Sequence, residues 1–494
     1  MRAEAGREIL IHTERGYKGT TYITREGEQS FEVPAWSNGH SVTYTIPAGV
    51  QVLDLEYRET GIDTDFKGEF SCSDPRLNTL WTKCGRSIYV NMHDSYMDCP
   101  DRERSQWPFD MTFTAAATYY LFDRRVDTLF EKGIREFLGW RTPSGILWGA
   151  VPSGRFIGKY REFPVQNLHY IAVGVPTHLE QTGNLALAAD IVPPIRRYLL
   201  ECWSMNADGL PRPRPTETDW GPGTAKWMDW GAGTIDRTLL EVAWYGWAVS
   251  SIDRIRAMAG LPEDLAISER RKSIAAAFDR VFWDESVQAY RAHGYKDPPD
   301  DRGNAIAVCA GLAASQRTDA LAAMFAKTER SSIGMERYVI EAMFTLDHAL
   351  AGLQRLKRRF AKEISSQYTT LPEGFGSDSN HGWGAWPAAF MVERIAGIRP
   401  ITPGYGTFVV DPRPAGLSQF SVRFPSIRGE IAVAWNETAD AANLRVECPE
   451  NTNATVVFPK TSTKTRLSAP GAIPDPQNPC RFSIGAGIWN FEAR

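Results

Sequence analysis

The stretch DCPDRERSQWPFD, residues 98–110, is the most informative part of this 494-residue chain. It brings four carboxylates, two arginines and one tryptophan together. Pro100 and Pro108 restrict the backbone, and Pro108 suits the first turn of a helix. The pattern predicts a shaped loop that runs into a helix beginning near Pro108. A carboxylate beside an aromatic wall and arginines is one way to tune a general acid. A surface cluster of ion pairs at a helix start is the simpler alternative.

Helical periodicity surrounds this stretch, from residue 73 to residue 398. Connections of a few residues alternate with much longer ones. Short connections produce antiparallel hairpins, so every long connection should emerge at one end. The pattern predicts a mainly α protein with an (α/α)6 barrel whose active face is built from loops. An α-solenoid would show a repeat of fixed period, which the sequence lacks. The expected helices cover residues 75–92, 108–121, 126–141, 164–182, 186–204, 236–260, 263–283, 304–314, 317–328, 337–346, 348–361 and 382–396.

Strand patterns flank the helical region on both sides. Residues 1–72 contain short alternating runs separated by Gly, Pro, Asn and Thr, and residues 399–494 return to the same chemistry. We expect an N-terminal β-sandwich over 1–72, a catalytic barrel over 73–398 and a C-terminal β-sandwich over 399–494. The first strand begins almost at Met1, so a longer native N-terminus is left open.

Composition argues against several classes of protein. The net charge is −4 and no basic stripe is present, which disfavours nucleic acid or an anionic membrane surface as a partner. No apolar run could span a bilayer, and the first residues lack the apolar core of a signal peptide, so we expect a cytoplasmic protein. The seven cysteines are scattered without CxxC pairs, so neither a disulfide framework nor a metal site is expected. No cofactor is expected either.

Carboxylates and tryptophans converge on the expected loop face. Loop 93–107 carries Glu103 and loop 362–381 carries Glu373, and a closed barrel would make these loops neighbours. Cleavage of a glycosidic bond needs an acid for the leaving oxygen, a carboxylate that activates water, and aromatic planes against the ring. The other candidates for substrate binding are Asp98, Arg102, Trp107, Asp110, Trp148, Asp219, Trp220, Trp227, Asp229, Trp230 and His381, with weaker signals at Glu162 and Gln166.

Most candidates also have a purely structural interpretation. Asp110, two residues after Pro108, fits a favourable charge in the first turn of a helix. His381 fits a packing residue at the start of the last helix. Trp383 and Trp386 have the spacing of core positions on that helix. Glu373 lies between Pro and Gly in a long loop, which favours a functional role.

The motifs resemble those of the family 78 glycoside hydrolases, the α-L-rhamnosidases. Residues 98–110 are similar to that family's Asp-Cys-Pro-x-Arg-Glu…Trp-x-Gly-Asp signature. Thr369-Thr-Leu-Pro-Glu373, followed by Asn380-His381, is similar to its Thr-Thr-x-Trp-Glu segment and its Asn-His pair. Met228-Asp-Trp230 is similar to its Gly-Asp-Trp element, and residues 397–405 resemble its usual ending. The resemblance covers residues 55–460.

The resemblance implies an inverting hydrolase that releases terminal α-L-rhamnose, or a closely related sugar, from a glycoside or oligosaccharide. It implies that Glu103 is the general acid and Glu373 the general base. Phe109 stands where the family has Gly, and Pro372 stands where it has Trp, so the sugar is less firmly predicted than the reaction. The sugar-binding positions that it implies are Asp98, Arg102, Trp107, Asp110, Trp230 and His381.

Two other functions stay open at this point. A polysaccharide lyase on the same barrel would use a His or Tyr base near an Arg, for which His381, Tyr368 and Arg102 are candidates. A non-catalytic sugar-binding relative is disfavoured because both Glu103 and Glu373 are present. The expected partner is a rhamnosylated small molecule or oligosaccharide, without nucleic acid or membrane. The sequence leaves the aglycone, the linkage and the oligomeric state open, a homo-oligomer included.

Overall fold

The computed structural model describes residues 1–14, 19–33, 36–39, 41–100, 102–153, 161–214, 223–224, 228–377, 380–459 and 466–494. The chain divides into two compact units. The first comprises residues 1–61 and 100–102, and the second comprises residues 62–99 and 103–494. No helix of the described residues is long and apolar enough to cross a membrane.

Helices fill the second unit between residues 75 and 395, as the periodicity predicts. Four of them begin after an aspartate whose side chain accepts a backbone N–H of the first turn, namely Asp74, Asp236, Asp264 and Asp300. Within the described residues the twelve principal helices form six hairpins, which confirms the expected hairpin count. In chain order they are Pro75–Tyr89, Pro108–Leu121, Asp127–Gly139, Pro164–His169 continued by Tyr170–Gly174 and Val175–Thr182, Ala188–Glu201, Arg237–Met258, Leu265–Phe282, Asp301–Cys309, Thr318–Lys327, Glu336–Thr345, Ala349–Arg359, and Gly382–Ala385 continued by Pro387–Phe390 and Met391–Ile395.

Even-numbered helices are buried and odd-numbered helices are amphipathic. Every residue of Pro108–Leu121 is buried, because its sequence is apolar or small on all sides. By contrast, Asp127–Gly139 buries one stripe and exposes ion pairs such as Lys132–Glu136, four residues apart. The even-numbered helices therefore lie inside and the odd-numbered helices cover them.

The last helix lies beside the first two, which brings distant parts of the chain together. Its Trp383 ring packs against Phe109 of the second helix, with ring centroids 5.9 Å apart. Its Phe390 packs against Phe344 of the tenth helix at 4.9 Å. The same helix contacts the first helix, as expected for neighbouring ends of a closed ring.

Two sheets at the C-terminal side of the second unit pack face to face. Phe482 of one sheet contacts Phe491 of the other, with ring centroids 5.3 Å apart. The six-stranded sheet has the order Leu467–Ser468, Gly487–Ala493, Ala442–Cys448, Gly429–Glu437, Gln419–Ser426 and Glu69–Cys72. The five-stranded sheet has the order Ile398–Pro400, Thr407–Val410, Asn453–Val457, Asn478–Ile484 and Ile473–Asp475.

One strand belongs to a different sheet from the one that the sequence suggests. Glu69–Cys72, expected within the N-terminal β-region, pairs antiparallel with Gln419–Ser426 at the edge of the C-terminal sheet. Its alternating burial, with Phe70 and Cys72 inside, fits an edge strand that covers a core. Sequence periodicity predicts a strand here, but strand pairing depends on tertiary contacts 350 residues away along the chain.

The first unit contains two small sheets. One joins Gly27–Glu28, Arg2–Ala3 and Val50–Gln51, and the other joins Thr20–Ile23, Glu8–Thr13 and Val42–Thr45. Two further two-stranded pairs belong to the helical region, Trp283–Asp284 with Ala289–Tyr290 and Arg161–Glu162 with Gly223–Thr224.

Candidate active site

Hydrogen bonds link the described parts of the long connections, or the residues at the helix starts that follow them, at one end of the helices. These bonds join segments that lie far apart in the chain into one loop face. The bonds are Gln106 N to Pro152 O (3.0 Å), Arg214 Nη2 to Glu162 Oε2 (2.8 Å), Ala292 N to Asp236 Oδ2 (2.7 Å), Ser332 N to Asp229 Oδ2 (3.0 Å), Trp386 Nε1 to Ile333 O (2.7 Å) and Gly382 N to Asp98 O (3.0 Å).

Loop 98–107 is closed by reciprocal hydrogen bonds between its ends. The Ser105 backbone N–H donates to Asp98 Oδ1 at 2.9 Å, and the Asp98 N–H donates to the Ser105 carbonyl at 3.0 Å. Arg104 adopts a left-handed backbone conformation, φ 53°, which non-glycine residues rarely accept without such constraints. These bonds therefore hold Asp98 and Ser105 together, and Ser105 lies two residues beyond Glu103.

Glu103 is fixed by the tryptophan four residues later. The Trp107 indole Nε1 donates to Glu103 Oε2 at 2.7 Å. Trp107 is buried against Ala150 and meets the ring of Phe163 edge-on, with centroids 4.9 Å apart. Hence Trp107, which is anchored in a small apolar cluster, orients the partly exposed carboxylate of Glu103.

Three buried polar residues, Asp98, His381 and Asp110, form the floor beside Glu103. His381 Nδ1 lies 3.3 Å from Asp110 Oδ1, and its Nε2 lies 3.8 Å from Asp98 Oδ2. The backbone of His381 is fixed, because its N–H donates to the Leu371 carbonyl at 2.9 Å. The His381 ring thus lies between the carboxyl groups of Asp98 and Asp110.

The carboxyls of the floor resist ionisation. Burial, together with the charge of Glu103, raises the pKa of Asp98 to about 7. Burial raises the pKa of Asp110 well above its usual value, and the charges of Asp98, Glu103 and Glu373 raise it further. Both candidate catalytic glutamates therefore lie within electrostatic reach of one aspartate, although 270 residues separate them in sequence.

The loop that carries Glu373 is held by backbone and indole contacts. The Trp383 indole donates to the Glu373 carbonyl at 2.8 Å. Pro372 and Asn380 form an antiparallel bridge across the loop, and the Leu371 N–H donates to the Ser87 hydroxyl at 2.7 Å. Trp383 and Trp386 are buried, as their spacing predicts. The position of Glu373 thus depends on the start of the last helix.

The two departures from the family pattern lie next to the site and point in different directions. Phe109 is completely buried, with its ring 4.4 Å from His169 and 4.9 Å from Phe113, so it fills the interior below the floor. Pro372 is buried in the bridge that closes the Glu373 loop. Phe109 thus changes the packing beneath Asp98, His381 and Asp110, and Pro372 changes the loop that carries Glu373.

Asp229 is more deeply embedded than a surface ligand contact. Its Oδ2 accepts from Arg302 Nη1 at 3.3 Å and from the N–H groups of Gly231 and Ser332 at 3.0 Å each. Its Oδ1 is buried without a hydrogen-bond partner among the described residues. Burial raises the pKa of Asp229, and Arg302 opposes this shift. The sequence does not single out Arg302 as a site residue. Its acidic neighbours Asp300 and Asp301 are the signal that could have indicated a buried ion pair here.

The remaining candidates occupy several environments. Arg102 is exposed and belongs to the first compact unit, and Trp230 is 60% exposed. Glu162 forms a buried ion pair with Arg214, so it stabilises the loop layer, and Gln166 is buried beside it in the chain. Trp148 packs edge-on against Trp140. Asp219, Trp220 and Trp227 lie outside the described residues.

No group of His, Cys, Asp or Glu side chains in the described part of the chain is arranged to hold a metal ion. The seven cysteines are free.

Comparison with known families identifies the chain. Residues 65–350 match the family described as bacterial alpha-L-rhamnosidase 6 hairpin glycosidase domain. The chain belongs to this family. Residues 397–470 match the bacterial alpha-L-rhamnosidase C-terminal domain, which accompanies the hairpin domain here.

Individual relatives are distant and longer. An alpha-L-rhamnosidase of Alteromonas sp. (strain LOR) is 23% identical over 426 residues, 80% of this chain and 45% of the relative. One from Streptomyces avermitilis is 24% identical over 505 residues, 95% of this chain and 46% of the relative. The crystal structure of the Streptomyces avermitilis enzyme complexed with L-rhamnose superposes with a TM-score of 0.79 at 18% identity, covering 100% of this chain and 50% of that chain. The chain thus spans about half the length of the curated relatives it matches.

Proposed function

We propose that the protein is an inverting glycoside hydrolase that releases terminal α-L-rhamnose, or a closely related sugar, from a rhamnosylated small molecule or oligosaccharide. The family assignment supports the sugar, and the carboxyl cluster supports the reaction. The observation that carries the proposal is the hydrogen bond from Gly382 N to Asp98 O at 3.0 Å, because it ties the loop of Glu103 to the segment that follows Glu373. Two carboxyl groups on adjacent loops would supply the acid and the base that a single-displacement hydrolysis requires.

In this mechanism the two glutamates act on opposite faces of the anomeric carbon. Glu103 donates its proton to the glycosidic oxygen while the C–O bond breaks, and the Trp107 N–H at 2.7 Å holds the carboxyl group in place. Glu373 removes a proton from a water molecule, whose oxygen forms the new bond to the anomeric carbon. Asp98, Asp110 and His381 bind sugar hydroxyls below the ring. We expect the two carboxyl groups to be roughly 6.5–9.5 Å apart, which leaves room for the water.

The proposed architecture is an (α/α)6 barrel with β-sandwiches on both sides. Buried helices alternating with amphipathic ones, and a last helix packed on the first two, support a closed double ring. We place the barrel over residues 73–398, the N-terminal sandwich before it and the C-terminal sandwich over 399–494. The strand Glu69–Cys72 adds an edge to the latter sheet.

Replacement of each glutamate by glutamine tests the assignment. Both E103Q and E373Q should lower kcat by roughly 10²–10⁴ on an unactivated rhamnoside, the usual contribution of a positioned acid or base. With a nitrophenyl rhamnoside, whose leaving group needs little protonation, E103Q should recover much of its activity and E373Q should not. E430Q, which changes an exposed glutamate of the C-terminal sheet, is the control.

The product provides an independent readout. Proton NMR during hydrolysis should show the inverted anomer first. Initial release of the anomer with retained configuration would refute the single-displacement mechanism. Equal loss of activity in both variants on the nitrophenyl substrate would refute the separate acid and base roles, and full activity of both would refute the catalytic pair.

A further inference from the structure

A cavity lies at the end of the third helix, beside the loop face. Its volume is about 650 Å³, within the range of roughly 300–1,000 Å³ that ligand pockets occupy. It lies between the third helix and the connection that follows. The lining side chains that matter here are Lys132, Arg135, Glu136, Trp140, Arg141 and Trp148.

Two tryptophans form a corner in this cavity. The rings of Trp140 and Trp148 are perpendicular, at 88°, with centroids 5.9 Å apart. Backbone pairing fixes both tryptophans. The Trp148 N–H donates to the Trp140 carbonyl at 3.2 Å, and Arg141 and Leu147 form an antiparallel bridge. Trp140 is nevertheless 57% exposed. A rigid indole face left open to solvent is suited to the apolar face of a pyranose ring.

The cations of the cavity differ in how far they are neutralised. Lys132 pairs with Glu136 at 2.9 Å. Arg135 pairs with Glu131 and with Asp190. Arg141 is exposed and donates to the Leu138 carbonyl, and no carboxylate of the described residues lies within 4 Å of its guanidinium. Lys132 and Arg135 are therefore neutralised by carboxylates, whereas Arg141 is placed to receive an anion beside the indole corner.

The cavity is connected to the proposed catalytic loop. Glu136 accepts a hydrogen bond from Gln106 Nε2 at 2.9 Å, and Gln106 precedes Trp107, which holds Glu103. On the other side, Ala150 packs against Trp107, two residues after Trp148 in the chain. Direct contacts thus join the cavity to the loop of Glu103, as expected for subsites that bind two units of one saccharide.

We propose that this cavity is a subsite for a hexuronic acid unit of the substrate, with the pyranose ring on the Trp140–Trp148 corner and its carboxylate paired with the Arg141 guanidinium. A fork of guanidinium N–H groups matches a carboxylate in geometry and charge, which a neutral sugar does not offer. The proposal rests on the proposed function and specifies its substrate as an acidic, rhamnose-containing oligosaccharide.

Binding of a galacturonic acid trimer tests the subsite separately from catalysis. The trimer contains no rhamnose, so calorimetric titration measures binding without turnover. The wild-type protein should bind the trimer, and added salt should weaken binding because the ion pair is solvent-exposed. R141Q should weaken binding by roughly 2- to 5-fold, the usual range for a solvent-exposed ion pair. W140A should weaken it through loss of stacking.

Two controls make the outcome decisive. R280Q changes another exposed arginine that, like Arg141, donates to a backbone carbonyl, here Asp208, and should leave binding unchanged. The fully methyl-esterified trimer keeps the rings but loses the charge and should bind the wild-type protein about as weakly as the acid binds R141Q. Absent binding of the acid, equal binding of the ester, or unchanged binding in R141Q would each overturn the subsite. Binding of the trimer by a protein that hydrolyses no rhamnoside would refute the proposed function and leave the subsite standing.

Discussion

Single buried carboxyls determine how the site responds to pH. Asp98 has a pKa of about 7 because burial and the nearby charge of Glu103 disfavour its ionised form. An unfolded aspartate has a pKa of about 3.9. Between these values the Asp98 carboxyl holds a proton in the folded protein that it has lost in the unfolded chain, so its contribution to the free energy of unfolding falls as pH rises from about 4 to about 7.

D98N should remove this dependence. The stability of D98N relative to wild type should rise from about pH 4 to about pH 7, by about 1.4 kcal/mol for each unit between the two pKa values, and then level off. Chemical denaturation at a series of pH values measures it. D123N is the control, because hydrogen bonds from Arg125 outweigh burial and hold the pKa of Asp123 at about 2, so its effect should appear below about pH 4. A constant difference between D98N and wild type across the window would contradict the prediction.

Trp107 acts on a single carboxylate, and its removal should affect catalysis more than stability. W107F keeps an aromatic ring but loses the N–H that donates to Glu103. Hydrogen bonds to charged groups contribute about 1.5–3 kcal/mol, so kcat should fall by about 10- to 100-fold. The control is W244F, since the Trp244 indole nitrogen is buried without a hydrogen-bond partner among the described residues. Steady-state kinetics should show a much smaller change for W244F than for W107F.

At the scale of elements, local sequence determines helices well and loop geometry poorly. The second helix occupies Pro108–Leu121, the predicted span, because proline starts it and an apolar run sustains it. The last helix begins instead as Gly382–Ala385, a tighter turn, and ends in a π-helical turn, Met391–Ile395, features without a local signal. A closed ring predicts that Glu103 and Glu373 lie near each other, and this stays a prediction. The Arg302–Asp229 pair was not predictable, since it depends on how two long connections pack.

The start of the last helix positions the loop of Glu373, and two tryptophans allow this to be tested. W383F removes the donor to the Glu373 carbonyl, whereas W386F removes an equivalent donor to the Ile333 carbonyl in the core. A neutral hydrogen bond contributes about 0.5–1.5 kcal/mol, so W383F should lower kcat by roughly 2- to 10-fold. W386F should lower the unfolding temperature with a smaller effect on kcat. Identical kinetic effects would mean that the loop does not depend on Trp383.

At the scale of the whole molecule, the helical region and the C-terminal sheets share one boundary strand. Glu69–Cys72 pairs with Gln419–Ser426, and Phe70 stacks on Trp81 of the first helix with centroids 5.5 Å apart. Composition alone assigned this strand to the N-terminal region, because alternating residues do not encode which partner a strand selects. The strand therefore couples the stability of the C-terminal sheets to the chain that precedes the first helix.

Two truncations that differ by this strand test the coupling. A chain of residues 69–494 keeps the strand, and a chain of residues 73–494 loses it. In the shorter chain, Gln419–Ser426 becomes an exposed edge and the core loses Phe70, a loss of the kind that costs about 3–5 kcal/mol for Phe→Ala. Denaturant unfolding should show the longer chain more stable by at least about 3 kcal/mol. F70A in the longer chain separates the two effects, because it keeps the strand backbone but loses the Phe70 ring. Its free energy of unfolding should lie between those of the two truncations. Equal stability of the two truncations would show that the edge strand contributes nothing to the fold.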